Sequence, residues 1–246
     1  MNQNIGFGAT LNGKHTWKNY GLVVSNTDVV GMPKPKTLIV EIPGSSKRLD
    51  LTEALTGRCE YEGRTLSFTL GGIGKIESWA GRLRSFLNEI HGKHVKVILD
   101  SEPEYYFEGR AEVKNFERTR ALGQIELEIA CDPYKWELAA SDEDWLWDSF
   151  NFESGIIRDY RDVSVSSYTD LLVPGSHVPM VPTFHVRNYQ ETEGRKNYVY
   201  SIKLRKSWTL HAGTNRFADL VIPESGDTLR FFGTYTVTVS VRGGSL

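Results

Sequence analysis

Apolar residues fall at every second position through most of this chain, and that period dictates strands. In RTLSFTL (64–70), Leu66, Phe68 and Leu70 share one face while Thr65, Ser67 and Thr69 share the other. A pleated strand sends successive side chains to opposite sides, so such a segment offers one face to a core and one to solvent. The same alternation groups Leu38, Val40 and Ile42, then Val95, Val97 and Leu99, then Ile125, Leu127 and Ile129. Near the end, Tyr235, Val237, Val239 and Val241 alternate with Thr236, Thr238, Ser240 and Arg242. Each set predicts a half-buried strand.

One segment keeps a different period. Ile76, Trp79, Ala80, Leu83, Phe86, Leu87 and Ile90 follow three-and-four spacing, which lines them along one stripe of an amphipathic helix. Glu77 suits the start of that helix, His91 its end, and Gly92 a left-handed stop. A lone helix among many strands predicts a mostly β, antiparallel α+β domain whose helix covers one face of a sheet.

The chain has 246 residues, enough for one large domain or two ordinary ones, and 39% hydrophobic residues predict a normal core. The texture changes near Glu137. The acidic run ELAASDEDWLWDSF leads to the proline-rich PGSHVPMVP (174–182), and strand-like runs joined by short turns follow, as in a β-sandwich. A boundary around 137–145 gives an N-terminal domain at 1-138 and a C-terminal one at 139-246. A formal net charge of −2 carries no bulk attraction to nucleic acid or an anionic membrane. No stretch approaches the length of an apolar membrane span, and the first residues lack the apolar core of a secretory leader. Cys59 and Cys131 are too few for a disulfide framework or a zinc site, so two buried thiols are expected.

Candidate chemistry thins out on inspection. IPGSSKRLDLTEAL (42–55) superficially offers a phosphate loop, but Gly44-Ser45-Ser46-Lys47 lacks the second glycine and the following helix. A strand-connecting turn is expected instead. Gly71-Gly72-Ile73-Gly74 lacks dinucleotide-loop spacing and reads as a flexible lead-in to the helix. His91 and His94 are separated by the predicted helix end, so they do not share a face as a metal pair would. No HExxH or GxSxG motif is present. Asp142, Glu143, Asp144 and Asp148 lack calcium-loop spacing and read as a solvated linker. Trp145, Trp147, Tyr160, Tyr168 and Trp208 could stack on sugars, but packing is expected because no polar sugar-contact set accompanies them. We therefore expect no enzyme, no cofactor, no metal and no catalytic residues.

Taken in order, the segments resemble the distal tail protein (Dit) family of bacteriophages with long, non-contractile tails. HTWKNYGLVVSN is similar to an early strand of that family, and IPGSSKRLDLTEALTG to its IPGR-x-G-x-LDLT segment. RTLSFTL before the helix IESWAGRLRSFLNEIHGK follows, then VKVILDSEPEYYFEGRAEV and the closing CDPYKWE. In the second half, VPMVPTFHV, FADLVIPESGDTLRFFG and VTVSVRGGSL resemble the family's galectin-like β-sandwich. Ser45 and Ser46 depart from the family's Arg-Gly pattern.

The resemblance implies a virion structural protein of the siphovirus-type tail tip, made in the host bacterial cytoplasm. It implies self-association into a ring, typically a hexamer, formed by the N-terminal domain while the C-terminal sandwich projects outward. The ring would join the tail-tube protein to the tail-associated lysin or tail fibre hub, as a baseplate hub. It would surround the tape measure protein and let DNA pass without specific binding, and it would not insert into a membrane. Lys47 and Arg48 are then expected to meet a neighbouring subunit. The alternative is a carbohydrate-binding adhesion module contacting the host cell wall.

Overall fold

The computed structural model describes residues 8–26, 29–72, 76–118, 123–143, 158–191 and 196–246, with the side chains of 76–80 and 116–118 left aside. The chain divides into two compact units, Met1–Lys135 together with Leu246, and Trp136–Ser245. Each has its own apolar core.

The first unit contains β1 (Ala9–Leu11), β2 (Lys14–His15), α1 (Thr16–Tyr20), β3 (Leu22–Val24), β4 (Pro35–Lys36), β5 (Ile39–Glu41) and β6 (Arg48–Asp50). It continues with β7 (Glu60–Tyr61), β8 (Arg64–Gly72), α2 (Ile76–Ile90), β9 (His94–Leu99), β10 (Glu102–Arg118) and β11 (Gly123–Cys131). Its main sheet runs β2-β1-β9-β10-β11-β8-β3, with antiparallel neighbours throughout. The alternation read from the sequence places its core: Leu66, Phe68 and Leu70 of β8, Val95, Val97 and Leu99 of β9, and Ile125, Leu127 and Ile129 of β11 are all buried. Helix α2 adds Leu83, Phe86 and Ile90 to the same core. Gly92 sits at φ 74°, as a left-handed helix stop requires. Ile76, Glu77, Trp79 and Ala80, also assigned to the helix by spacing, lie outside the described side chains.

Two local expectations change. The early segment HTWKNYGLVVSN is not all strand: Thr16–Tyr20 is a short helix, stopped by Gly21 at φ 66° before β3 begins. His15 caps it, its Nδ1 accepting from the amides of Trp17 and Lys18, while Nε2 contacts Asp100 at 3.0 Å. That caps two helix-start donors which would otherwise be unpaired. Gly71 and Gly72 are not a loop either; they end β8, paired with Gln124 and Gly123 of β11.

The second unit contains β12 (Lys135–Glu137), β13 (Val163–Val173), β14 (Thr183–Arg187), β15 (Tyr198–Ser201) and β16 (Lys206–Thr209). It ends with β17 (Gly213–Arg216), β18 (Asp227–Ser240) and β19 (Gly244–Ser245), and β12 pairs with β19. Strand β18 organises the rest. One edge is covered by β13 from Asp227 to Val237. The other pairs first with β15, at Leu229–Phe232, and then with β14, at Thr236–Ser240. β16 extends the first leaf and β17 the second, so the sandwich is a sheet curled about one long strand. Phe184, Val199, Leu229, Phe231, Val237 and Val239 fill the space between, all fully buried.

The bend between leaves falls at Gly233, φ 130°, directly opposite Ser167, φ 80°. A Cβ at Gly233 would stand 1.8 Å from Oδ1 of Asn197, a buried side chain that accepts from the Thr234 amide and donates to Gln190. Gly233→Ala therefore combines backbone strain with a displaced hydrogen-bonded amide. We expect a loss of about 1–3 kcal/mol, read as a lowered urea midpoint at unchanged slope. A midpoint equal to wild type would show that the bend is slack.

The acidic run is not a free linker where it is described. Asp142 accepts from Ser240 Oγ, and Glu143 pairs with Arg242 at 3.0 Å and accepts from the Ala140 amide. These contacts fasten 140–143 along the end of β18, because Arg242 and Ser240 supply the donors that a solvated carboxylate would take from water. Asp144, Asp148, Trp145 and Trp147 lie outside the described residues.

Candidate interaction surface

Between β3 and β8 the chain leaves the first unit's core. Val29–Gly31 runs along β8, with Ser67 donating to the Val29 carbonyl and Gly31 to that of Thr65. Beyond it, β4 pairs with β7, and β5 pairs with β6 in a hairpin whose register partners are Ile39–Asp50, Val40–Leu49 and Glu41–Arg48. Its turn is the Pro-Gly pair: the Ser45 amide donates to the Ile42 carbonyl at 3.0 Å, and Gly44 has φ 79°. Proline second and a left-handed glycine third is what a type II turn requires. The phosphate-loop question ends there, since a hairpin turn has no helix N-terminus behind it.

The strand period of KTLIVEI is therefore real, but the burial it predicts is not. Every residue from 34 to 50 is exposed. Leu38 is 52% exposed, Val40 41% and Ile42 45%, and Ile39 and Leu49, at 49% and 46%, are no better covered. Met32 and Leu55 stand further out still. The reason is geometric: among the described residues β5 and β6 pair only with each other, and their exposure shows that no second described layer covers them. Fully covering one such side chain is worth about 1.5–3 kcal/mol, and contiguous exposed apolar surface is the mark of an interaction site. The sequence did carry a signal for this. Ile39 puts an apolar side chain on the face opposite Leu38 and Val40, so this strand is apolar on both sides.

Lys47 and Arg48 are both on this arm and both exposed. The Lys47 amide donates to Ser45 Oγ, which closes the turn, while Arg48 lies 3.7 Å from Glu41 across the hairpin. That ion pair is strongly solvated and holds the arm's shape weakly.

Other candidates resolve into structure. Trp208 is buried in the second core and donates from Nε1 to Asp219 at 2.8 Å, and Tyr160 is buried there too, so neither is a sugar platform. Tyr168, expected to pack, instead lies in an outer-face row whose other members were not foreseen: Tyr168, Phe232 and Tyr198 are register partners across β13, β18 and β15, with the Phe232 and Tyr198 rings stacked at 4.6 Å. Tyr168 is 62% exposed. Beside it Arg230 makes a two-point contact to Asp170 at 2.6 and 2.8 Å. His91 Nδ1 accepts from the Val113 amide, and among the described residues no group of His, Cys, Asp and Glu could hold a metal.

The two cysteines differ. Cys131 is buried, and desolvation, with the Asp132 carboxylate adding to it, pushes its thiol up to about 12. Cys59 is only half-buried, against the expectation of two buried thiols. A thiol-disulfide reagent at pH 8 should modify Cys59 in the native protein and reach Cys131 only on unfolding, because the thiolate is the nucleophile. Equal native rates would contradict this assignment.

No protein-family model matches the chain. No curated protein matches it in sequence. Among solved structures it is similar to the crystal structure of the phage SPP1 Dit protein, described as a paradigm of hub adsorption apparatus in phages infecting Gram-positive bacteria. Identity is 12%, the TM-score 0.61, and the match covers 98% of this chain and 99% of that one. Across nearly its whole length, then, this chain has the fold of a Dit protein.

Proposed function

We propose that the protein is a structural component of a bacteriophage tail tip: a ring-forming hub that joins the tail tube to the tail-associated lysin or receptor-binding apparatus and surrounds the DNA path. The observation that carries this reading is the end-to-end likeness in fold to a hub protein. The exposed arm gives it a physical means. A ring of identical subunits needs heterologous contacts that close by rotation, and a two-sided apolar hairpin with Lys47 and Arg48 at its turn suits one side of such a contact. In this reading residues 1-138 form the ring and 139-246 project outward, and the role is not catalytic.

Electron microscopy and light scattering on the purified chain test it. A pierced, ring-sized particle is expected, either alone or on mixing with tail-tube or tail-lysin protein. A strict monomer that ignores both would overturn the reading.

The row of Tyr168, Phe232 and Tyr198 favours a second reading, a carbohydrate-binding adhesion surface on the C-terminal unit. Sugars stack on exposed aromatic faces, and Arg230 and Asp170 supply polar groups beside this one. A glycan-array signal lost in Tyr168→Ala, with unfolding unchanged, would support it; clean negatives for the wild type remove it.

A further inference from the structure

Arg64 begins β8 on the strand's core side, in line with Leu66, Phe68 and Leu70, and is 4% exposed. Its guanidinium lies 5.5 Å from the centre of the Phe107 ring. Nε and Nη2 are buried and have no hydrogen-bond partner among the described residues. The neighbouring groups do not repair this. Cys131, its register partner on β11, stays a neutral thiol. Glu102 attracts the guanidinium only through space, since its direct contact is with Lys135 at 2.8 Å. A buried, unpaired cation is costly enough that folded proteins seldom keep one without a counter-charge.

Arg64 also lines a cleft together with Gly31, Met32, Lys34, Glu62 and Gly63. These are the residues at the root of the exposed arm. The two unpaired atoms are the side-on edge of the guanidinium, the fork that takes both oxygens of a carboxylate. Arg230 uses the same Nε and Nη2 edge on Asp170 in this chain.

We propose that the Arg64 cleft is a carboxylate receptor, filled by an acidic side chain of a second copy of the chain. The source of the carboxylate rests on the hub reading: whatever covers the apolar arm also covers the cleft at its root, and in a ring that is another copy. Binding includes a swing of the Arg64 head into the cleft, since its fork is shut off from solvent in the free chain.

The test compares the full chain as wild type, Arg64→Met and Arg64→Lys. Below the assembly concentration, where no second copy fills the cleft, sodium acetate, set against sodium chloride of equal ionic strength, should raise the unfolding temperature of wild type more than that of Arg64→Met. Sodium phosphate, which stabilises folded proteins generally, should widen the gap between wild type and Arg64→Met less than acetate does. In sedimentation, Arg64→Met should need at least tenfold more protein to assemble, and Arg64→Lys, which keeps the charge but loses the fork, should not restore wild-type assembly. If Arg64→Met does not fold, loss of the acetate response in a natively melting Arg64→Lys carries the same support. An acetate effect on wild type no larger than that on Arg64→Met overturns the receptor, and a gap widened more by phosphate overturns its assignment to carboxylates. An acetate effect together with unimpaired assembly of Arg64→Met overturns the second copy as the source. Wild type that stays monomeric yet responds to acetate sinks the hub reading and that source, while the receptor stands.

Discussion

In the hub reading, a chain carrying Val40→Lys and Leu49→Glu is expected to lose ring assembly while melting where the wild type melts. The two positions face each other across the hairpin, so the substitution trades an apolar cross-strand pair for an ion pair and keeps the arm folded. What it removes is apolar surface that the isolated chain leaves 41% and 46% exposed. Burying one such side chain is worth about 1.5–3 kcal/mol. Two such losses in one contact correspond to at least a hundredfold higher assembly concentration, on the order of 3 kcal/mol. Exposed substitutions away from special features move monomer stability by about 0.5 kcal/mol or less. The paired measurement, sedimentation for assembly and calorimetry for the fold, separates the two effects. Unchanged assembly would mean that the arm faces solvent in the particle and that the contacts lie elsewhere.

That result would also explain where sequence reading stopped. Period two located β8, β9, β11 and β18 and chose their buried faces correctly, because in a sheet with a second layer the pattern and the burial have one cause. At β5 the cause is missing: the pattern is there, but the layer that would bury it is not among the described residues. Alternation reports what a residue prefers to touch, and for Leu38, Val40 and Ile42 that surface belongs to no described part of this chain. Arg64 is the opposite case. It occupies the inward phase of β8, yet a lone arginine between a glycine and a threonine reads as the solvated end of a strand. Only the closeness of Phe107 and Cys131, both far away in sequence, makes it a buried charge. The aromatic row had the same obstacle, since Tyr168, Phe232 and Tyr198 become neighbours only through strand register. Short-range chemistry such as the Pro43-Gly44 turn was legible because all its determinants are adjacent.

The largest stability effect is expected from Phe231→Ala. Phe231 is fully buried, and its ring meets that of Phe184 edge-on at 5.8 Å at the centre of the second core. Emptying such a site costs about 3–5 kcal/mol through lost transfer energy and residual cavity, a large share of the roughly 5–15 kcal/mol that holds a domain folded. For a unit of this size the melting temperature should fall by on the order of 15 °C. The two cores share no residue, so the loss should appear in one calorimetric transition and leave the other in place. Phe86→Ala, which empties the first core beside Tyr20 at 5.1 Å, should do the converse. The arm belongs to neither core. Below both transitions, each variant should therefore assemble at the wild-type concentration, with the apolar hairpin still presented on a folded first unit. If both transitions move together, the two units unfold as one cooperative body, and damage in the second core would then reach assembly as well.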